Sequence, residues 1–348
     1  MRILIDIGHP AQFNYLKIPI NILSNEHEVY VSYIKRGKLG DIINQELKYA
    51  HHSIIIKQIG KHRGSIFSII WDANICRLFQ FILFIYRNKI DIGVDGGFPL
   101  GLALRIMRRK YIQFDDDFER HLTIFLEKHL ADKLYLFPST IKLNFRKSSN
   151  IILINALKEW AYLSPTYFFP DNSVLDEYNL QEGNYIFVRE VSTKTINYFG
   201  QKEGIISAYQ DAINLTKLKV ILSLEEKEKK DSYPEDWILL KEPVSDIHSL
   251  MYYSNCVISS GDSMAREGAM LGVKSIYCGS RDMTANRFLM DICNFIWAKN
   301  YDEFVVAINS KPLLKQEVIR NILLKNWEDV NEIVLESILS LDKGANVK

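Results

Sequence analysis

The chain has 348 residues, of which 47% are hydrophobic and 24% charged, and its formal net charge is +1. This composition supports a large core, and the length exceeds that of one typical domain, so we expect two globular domains. The near-neutral charge argues against nucleic acid as a partner, because nucleic-acid binding usually requires a marked basic excess. The four cysteines lack paired spacing, which predicts a reducing compartment and no metal site.

Two segments bear on export and membrane association. The N-terminus, Met1–Asp6, lacks the apolar segment and cleavage site of a signal peptide, so we expect a cytoplasmic protein. Residues Ile66–Tyr86 are rich in Ile, Leu, Phe and Trp, but Asp72, Arg77 and Gln80 interrupt them before they could span a bilayer. We interpret this segment as a buried or interfacial helix. Core packing is favoured because its polar face carries few basic residues, and peripheral membrane contact stays open.

Short apolar strands alternate with helical patterns along most of the chain. This alternation is typical of a parallel sheet with helices on both faces, and it predicts Rossmann-like domains at residues 1–157 and 184–311. Residues 158–183 are rich in turn formers and predict a linker. A helical tail is predicted at 312–348, and in a two-lobed protein such a tail can cross back onto the N-terminal lobe.

The predicted strands are Arg2–Ile7, Glu28–Ile34, Ser53–Ile59, Ile90–Asp95, Lys110–Asp115, Lys133–Phe137, Ile151–Asn155, Tyr185–Arg189, Lys219–Leu224, Trp237–Leu240, Cys256–Ser260 and Ser275–Cys278. The longest predicted helices besides Ile66–Tyr86 are Gln12–Ser24, Glu119–Leu130 and Gln201–Thr216.

The stretch Val257–Gly272 predicts a strand, a tight turn and a helix that begins at Asp262 or Ser263. The first N–H groups of such a helix have no intrahelical partner and the helix dipole is positive there, so the turn suits a phosphate or diphosphate. An ordinary strand-to-helix connection with a polar cap is the alternative. The residues expected at this anion site are Ser260, Gly261, Asp262, Ser263 and Met264, with Glu267 one turn later expected to reach a ribose.

Two further loops of the C-terminal half supply cationic and hydroxyl groups. Arg189 and Ser192 end the first strand of that half, and Arg281 follows the last. Guanidinium groups hold diphosphates through charge-assisted hydrogen bonds, although a surface salt bridge would explain either arginine alone. If the sheet is wound as predicted, both arginines lie beside the turn at 260–267. This convergence favours phosphate binding.

Three loops of the N-terminal half follow predicted strands, where open parallel sheets bind ligands. His9 could act as a base near neutral pH, or it could be a routine turn residue. Gly96 and Gly97 permit close backbone approach or a plain turn. Asp115 and Asp116 open an acidic run in which crowding could raise one pKa enough for general-base chemistry, although helix capping alone would explain one of these acids. We expect His9 or one of these two aspartates to deprotonate an acceptor hydroxyl.

Several common catalytic motifs are absent from the sequence. There is no GxGxxG fingerprint, Walker A loop, Gly-x-Ser-x-Gly elbow or His-Glu-x-x-His helix. Dehydrogenase, P-loop ATPase, α/β-hydrolase and zincin activities are therefore weakly supported.

Four motifs resemble a family catalogued as domain of unknown function 354, and they extend over nearly the whole chain. They are Ile5-Asp6-Ile7-Gly8-His9-Pro10-Ala11, Asn155–Leu163, Arg189-x-x-Ser192 and Ser260-Gly261-Asp262-Ser263-Met264-Ala265-Arg266-Glu267. The family is similar to glycosyltransferases of the GT-B architecture, with two Rossmann-like domains facing a cleft, and to UDP-N-acetylglucosamine 2-epimerases. The resemblance implies a nucleotide-diphosphate sugar, expected to carry UDP, a glycan or lipid-linked acceptor, and no required cofactor or metal.

The similarity to the epimerases extends to individual positions. Ser259-Ser260-Gly261-Asp262 stands where those enzymes have Asp-Ser-Gly-Gly, so Asp262 replaces a glycine and either caps the helix or faces the ligand. Arg281-Asp282-Met283-Thr284 resembles their Arg-x-Thr-rich loop, which adds Thr284 to the candidate site. Their strand-end His has no counterpart near Leu222–Glu226. We therefore expect glycosyl transfer in surface-polysaccharide or glycoconjugate assembly, with a 2-epimerase or a non-catalytic binding protein as alternatives.

Overall fold

The computed structural model describes residues 1–35, 37–48, 54–61, 71–117, 119–140, 148–194, 198, 200–241 and 246–343. The chain divides into two compact units. Unit 1 comprises Met1–Tyr162 and Trp327–Lys348, and unit 2 comprises Leu163–Asn326. Each unit is built on its own parallel sheet.

Unit 1 contains a seven-stranded parallel sheet with the order β3-β2-β1-β4-β5-β6-β7. Strand β1 is buried from Ile3 to Ile7, as expected for a parallel strand covered by helices on both faces. The strand order reverses between β1 and β4, so the loops after these two strands lie where doubly wound sheets bind ligands. The strands are β1 Arg2–Ile7, β2 Glu28–Lys35, β3 Ile54–Lys61, β4 Ile92–Asp95, β5 Lys110–Asp115, β6 Lys133–Leu136 and β7 Ile151–Leu153.

The helices of unit 1 follow the strands in alternation. Helix α1 contacts α2, while α3 contacts α4 and α4 contacts α5, so the last three form one layer. A π-helical turn, Trp71–Cys76, leads into α3, and residues 66–70 of the predicted Ile66–Tyr86 helix lie outside the described residues. The helices are α1 Pro10–Leu23, α2 Leu39–Glu46, α3 Arg77–Asn88, α4 Gly97–Ile106 and α5 His121–Leu130. The short α6, Trp160–Leu163, ends on the first residue of unit 2.

A buried ion pair ties α3 to the central strand. Arg77 Nη2 lies 2.7 and 2.8 Å from the two carboxylate oxygens of Asp6, and the Ser32 hydroxyl donates to the same group at 2.6 Å. Burial raises the pKa of Asp6, and the charge of Arg77 opposes that rise. The basic residue that interrupts the apolar segment in the sequence therefore faces the sheet.

Unit 2 contains a six-stranded parallel sheet with the order β10-β9-β8-β11-β12-β13. In register, Ser259 at the end of β11 lies beside Arg189 of β8 on one side and Tyr277 of β12 on the other. The loops after these three strands therefore meet at one edge of the sheet. The strands are β8 Tyr185–Glu190, β9 Lys219–Leu224, β10 Ile238–Leu239, β11 Cys256–Ser259, β12 Lys274–Tyr277 and β13 Phe295–Trp297.

The helices of unit 2 differ from the sequence-based prediction in two places. The predicted Gln201–Thr216 helix is reduced to a 3-10 turn at Ser207–Tyr209 and a short α-helix, and Asn172–Tyr178, within the predicted linker, is a 3-10 helix. The sequence pattern also missed β13 and the helices on either side of it. The helices are α7 Gln210–Asn214, α8 Ile247–Tyr252, α9 Asp262–Met270, α10 Thr284–Met290, α11 Tyr301–Asn309 and α12 Gln316–Asn326.

The last helix, α13 Val330–Lys343, belongs to unit 1 and contacts α1. Asn331 Nδ2 donates to the carbonyl of Ala161 at 2.7 Å, and Trp327 packs edge-on against Trp160. The predicted return of the tail to the N-terminal unit is confirmed, as are the two parallel-sheet α/β domains. Within the described part of the chain, no helix combines the length and apolar character needed to cross a membrane.

Candidate functional site

The turn between β11 and α9 is closed by Ser259. Its Oγ accepts a hydrogen bond from the Gly261 N–H at 3.0 Å and donates one to the Gly261 carbonyl at 2.7 Å. A side chain at position 261 would place its Cβ 2.5 Å from Cγ1 of Val191, so this close approach requires glycine. Gly261 becomes the N-cap of α9 and Asp262 its first residue.

Asp262 accepts hydrogen bonds from three side chains. The Tyr198 hydroxyl donates to Oδ1 at 2.6 Å, and Nη1 of Arg266 and Nη1 of Arg281 each lie 3.2 Å from Oδ2. The side chains of Asp262 and Arg266 are both 2% exposed, so little water screens their charges. The carboxylate lies at the start of α9, where the helix dipole also favours negative charge.

The start of α9 carries more positive than negative charge. Asp262, Arg266 and Arg281 together sum to one positive charge, and the Arg281 side chain is 21% exposed. Ser263 and Met264, the next residues of the helix, are partly exposed and lie in the turn whose N–H groups have no intrahelical partner. Charge, exposure and N–H groups at this turn have the character that anion binding at a helix N-terminus requires.

Gln201 joins this turn to the loop after β12. Its Nε2 donates to the carbonyl of Ser260 at 3.1 Å, and its Oε1 accepts from the Ser280 N–H at 3.0 Å. The Ser260 hydroxyl is fully buried and accepts from the Val191 N–H at 3.0 Å. Ser260 therefore connects the loop after β8 to the turn by this hydrogen bond. Ser263 is partly exposed at the surface of the turn.

Arg189 and Ser192 bind the end of β9. Arg189 donates to Ser223 at 2.9 Å and to Glu225 at 2.7 Å, whereas Arg281 binds Asp262. The Ser192 hydroxyl donates to Glu226 at 2.6 Å, and its N–H donates to Glu225 at 2.8 Å. Of the two arginines expected beside the turn, the structure places Arg281 on Asp262 and directs the Arg189 side chain toward β9.

Glu267 forms a pair with a histidine that the sequence did not single out. Its Oε2 lies 3.6 Å from Nε2 of His248 in α8, with the two side chains 8% and 18% exposed. The His248 ring packs edge-on against Phe168 at 6.3 Å between centroids. Thr284 begins α10 and is partly exposed.

In unit 1, Asp95 is a fully buried carboxyl at the end of β4. Tyr15 and Gln12 of α1 donate to its Oδ2, and the Phe114 N–H donates to Oδ1 at 3.0 Å. Burial raises the pKa of Asp95 to about 7, and the nearby charge of Asp115 adds to that rise. A group that titrates near neutral pH can both accept and return a proton.

Two more acidic side chains with raised pKa lie beside Asp95. Burial raises the pKa of Asp115, opposed by Arg120, whose Nη2 lies 3.3 Å away. Burial and the charge of Asp115 raise the pKa of Glu127 in α5 well above its usual range. We name Asp95, Asp115 and Glu127 the carboxyl cluster. Asp116 is instead paired with Lys158 at 2.6 Å.

The described residues contain no group of three or more His, Cys, Asp or Glu side chains arranged to hold a metal ion.

The model of the family described as "Protein of unknown function (DUF354)" matches residues 133–343, which is more than half of the chain. The chain belongs to the DUF354 family. No curated protein matches this DUF354 sequence.

Solved structures resemble the DUF354 chain over its full length at low sequence identity. A putative UDP-N-acetylglucosamine 2-epimerase from Listeria monocytogenes has a TM-score of 0.70 at 12% identity, covering 99% of this chain and 97% of that one. The UDP-GlcNAc 2-epimerase from Neisseria meningitidis bound to UDP-GlcNAc has a TM-score of 0.61 at 14%, covering 98% and 100%. MurG from Acinetobacter baumannii has a TM-score of 0.56 at 14%, covering 97% and 99%. These similarities establish the fold.

Sequence reasoning missed five residues of the candidate site, of which Tyr198, Gln201 and Asp95 have partners far along the chain. The five are Tyr198, Gln201, His248, Asp95 and Glu127. One sequence feature could have identified Asp95 as a candidate, since this residue ends a buried strand directly before two glycines. The others lie on loops and helices whose patterns identify no partner.

His9 caps α1 in this DUF354 protein. It is exposed, and its Nδ1 accepts a hydrogen bond from the Ala11 N–H at 3.2 Å. We expect His9→Ala to lower the free energy of unfolding by about 1 kcal/mol, whereas His9→Asn retains an acceptor and costs a few tenths. Urea denaturation measures both. Equal stability of His9→Ala and the wild type would contradict the cap.

Proposed function

We propose that this protein is a nucleotide-sugar-dependent glycosyltransferase of surface-polysaccharide or glycoconjugate biosynthesis. The observation that carries the proposal is the cationic turn at the start of α9, where Arg281 is partly exposed beside Asp262. A diphosphate leaving group gains negative charge as its bond to the sugar breaks, and guanidinium groups and helix N–H groups stabilise such charge. The similar epimerase from Neisseria meningitidis, solved with UDP-GlcNAc bound, supports the same substrate class.

Each group in unit 2 has a role in this proposal. Arg281 and the N–H groups of Ser263 and Met264 hold the diphosphate, and Asp262 positions Arg281. Glu267, steadied by His248, accepts hydrogen bonds from ribose hydroxyls. Because Arg281 and the helix N–H groups stabilise the negative charge on the leaving diphosphate, the proposal requires no metal.

Unit 1 supplies the proton acceptor in the proposal. Burial raises the pKa of Asp95 to about 7, so this carboxyl is the group of unit 1 that we assign as the general base. Burial also raises the pKa of Asp115 and of Glu127 beside it. His9, whose Nδ1 accepts from the backbone, is assigned to the helix cap.

A 2-epimerase is the second candidate, and the carboxyl cluster is the observation that favours it. Elimination needs a base to remove a sugar proton while the diphosphate departs, and re-addition needs an acid to return a proton. Several carboxyls with raised pKa in one cluster suit both steps.

Incubation with UDP-sugars, with and without acceptor glycans, separates the candidates. Release of UDP only with acceptor supports glycosyl transfer, and an epimeric sugar formed without acceptor supports the epimerase. Binding without turnover identifies a binding protein. Absence of affinity for any nucleotide or nucleotide sugar in isothermal titration would refute the nucleotide-sugar proposal altogether.

We expect Glu267→Ala to weaken UDP-sugar binding by about 1–3 kcal/mol, because a charge-assisted hydrogen bond to ribose is lost. Isothermal titration measures the change. Glu317→Ala, at an exposed position of α12, is the matched control and is expected to bind like the wild type. A folded Glu267→Ala variant with unchanged affinity would remove Glu267 from the site.

A further inference from the structure

A stripe of exposed apolar side chains runs along the π-helical turn and α3 of unit 1. Its members are Trp71, Ile75, Phe79, Leu83 and Tyr86, which we name the apolar stripe. Their spacing of four, four, four and three residues places them along one side of the helix. Phe79 is 66% and Tyr86 71% exposed, although large apolar side chains usually face a core.

Neighbouring helices of the same layer also expose apolar side chains. Helix α3 contacts α4, which contacts α5, and these helices expose Ile106, Leu122 and Phe125. Leu122 is 73% exposed, which excludes a role in packing against the sheet. Several outward apolar side chains on one layer of helices are typical of an interaction surface rather than of isolated surface residues.

A cavity of about 510 Å³ borders the apolar stripe between β3 and α3. Leu83 of the stripe lines it together with three exposed cations, Lys57, Lys61 and Arg87, and one acid, Asp72. Among the described residues, none forms a hydrogen bond or ion pair with the side chains of these three cations. Positive charge therefore exceeds negative charge at the edge of the apolar surface.

We propose that this face of unit 1 docks on an anionic phospholipid surface. The apolar stripe enters the boundary between headgroups and acyl chains, where Trp and Tyr are favoured. Lys57, Lys61 and Arg87 meet headgroup phosphates, and the cavity beside them admits a headgroup. This surface uses none of the residues assigned to nucleotide-sugar chemistry, so the proposal stands independently of that function.

Charge complementarity favours a lipid surface over a second copy of this chain. A two-fold interface would place the same patch on both partners and bring the three cations of one copy near those of the other. Like charges facing one another oppose association, whereas phosphates of an anionic bilayer neutralise them.

Vesicle co-sedimentation of the full chain tests the proposal. We expect binding to phosphatidylglycerol–phosphatidylcholine vesicles that exceeds binding to phosphatidylcholine alone and weakens with salt. The double variant Phe79→Glu, Leu83→Glu is expected to lower partitioning at least tenfold, and Arg87→Ala about fivefold. The matched control Leu215→Glu, Val306→Glu adds the same charges at exposed apolar positions of unit 2 and is expected to bind like the wild type.

Three results would overturn the docking surface. They are equal binding of wild type and the Phe79, Leu83 variant, absence of preference for anionic vesicles, and a wild-type dimer that this variant converts to monomers in sedimentation velocity. The dimer would assign the face to a second copy. Circular dichroism checks that each variant is folded, and Tyr86→Glu at a 71% exposed position replaces the double variant if that variant unfolds.

Discussion

Replacing Asp262 with alanine is expected to lower the free energy of unfolding by about 3–5 kcal/mol, because it leaves Arg266 buried without its carboxylate. The Arg266 side chain is 2% exposed, and its remaining contacts include Asn286 Oδ1 at 3.4 Å. Tyr198 and Arg281 lose the same acceptor. Urea denaturation followed by circular dichroism measures the change.

Asp282→Ala is the matched control for Asp262→Ala. Asp282 also pairs with an arginine in the same loop region, but Arg287 is 68% and Asp282 42% exposed. Exposed pairs contribute about 0–1 kcal/mol, so the two variants differ in burial and not in chemistry. If both substitutions cost the same small amount, the buried network at the start of α9 contributes little to stability.

Replacing Asp95 with asparagine is expected to lower kcat by about 10²–10⁴-fold while raising stability above pH 7. The loss in turnover follows from removal of the proposed base. The stability gain follows because the wild type must hold an ionised carboxylate in a fully buried site, whereas the amide is neutral. Tyr15 can reverse its hydroxyl to accept from the new amide, whereas Gln12 keeps its orientation because its Oε1 accepts from the Gly8 N–H at 2.7 Å.

The pH dependence of stability provides the quantitative check on Asp95. Its pKa in the folded protein, about 7, lies above the ordinary value of 3.8, so the folded state binds more protons between these values. The free energy of unfolding therefore falls as pH rises from about 4 to about 7, and the gap corresponds to at most about 4 kcal/mol. Asp95→Asn is expected to flatten this fall.

Urea denaturation at several pH values tests this dependence. Asp41→Asn at an exposed position of α2 is the control and should keep the wild-type profile. Loss of both activity and stability in Asp95→Asn at pH 8 would show that Asp95 serves as a structural acceptor instead of a titrating base.

The strand, turn and helix from β11 to α9 follow from local pattern, because a buried β-branched run, a glycine and a helix start are all encoded within that segment. The side chains that bind Asp262 cannot be predicted from this local pattern. Tyr198 and Arg281 reach it from loops after β8 and β12, so their meeting depends on the strand order of the sheet.

Strand order alone does not predict which neighbour the Arg189 side chain binds. Arg189 lies in register with Ser259 on one side and Ser223 on the other, and the sequence leaves both directions open. The carboxylate of Glu225 at the end of β9 binds the Arg189 guanidinium, so the side chain points away from β11. Strand β13 was missed for a simpler reason, since three residues are too few to show a period.

The course of the chain through the two units also sets an order of assembly during synthesis. Unit 2 is continuous from Leu163 to Asn326, whereas unit 1 includes α13, which is synthesised after unit 2. Val334 and Ile338 of α13 are fully buried in the finished protein. A nascent unit 1 therefore keeps the apolar surface around α1 uncovered until the ribosome has completed unit 2, and it offers chaperones a binding surface throughout that interval.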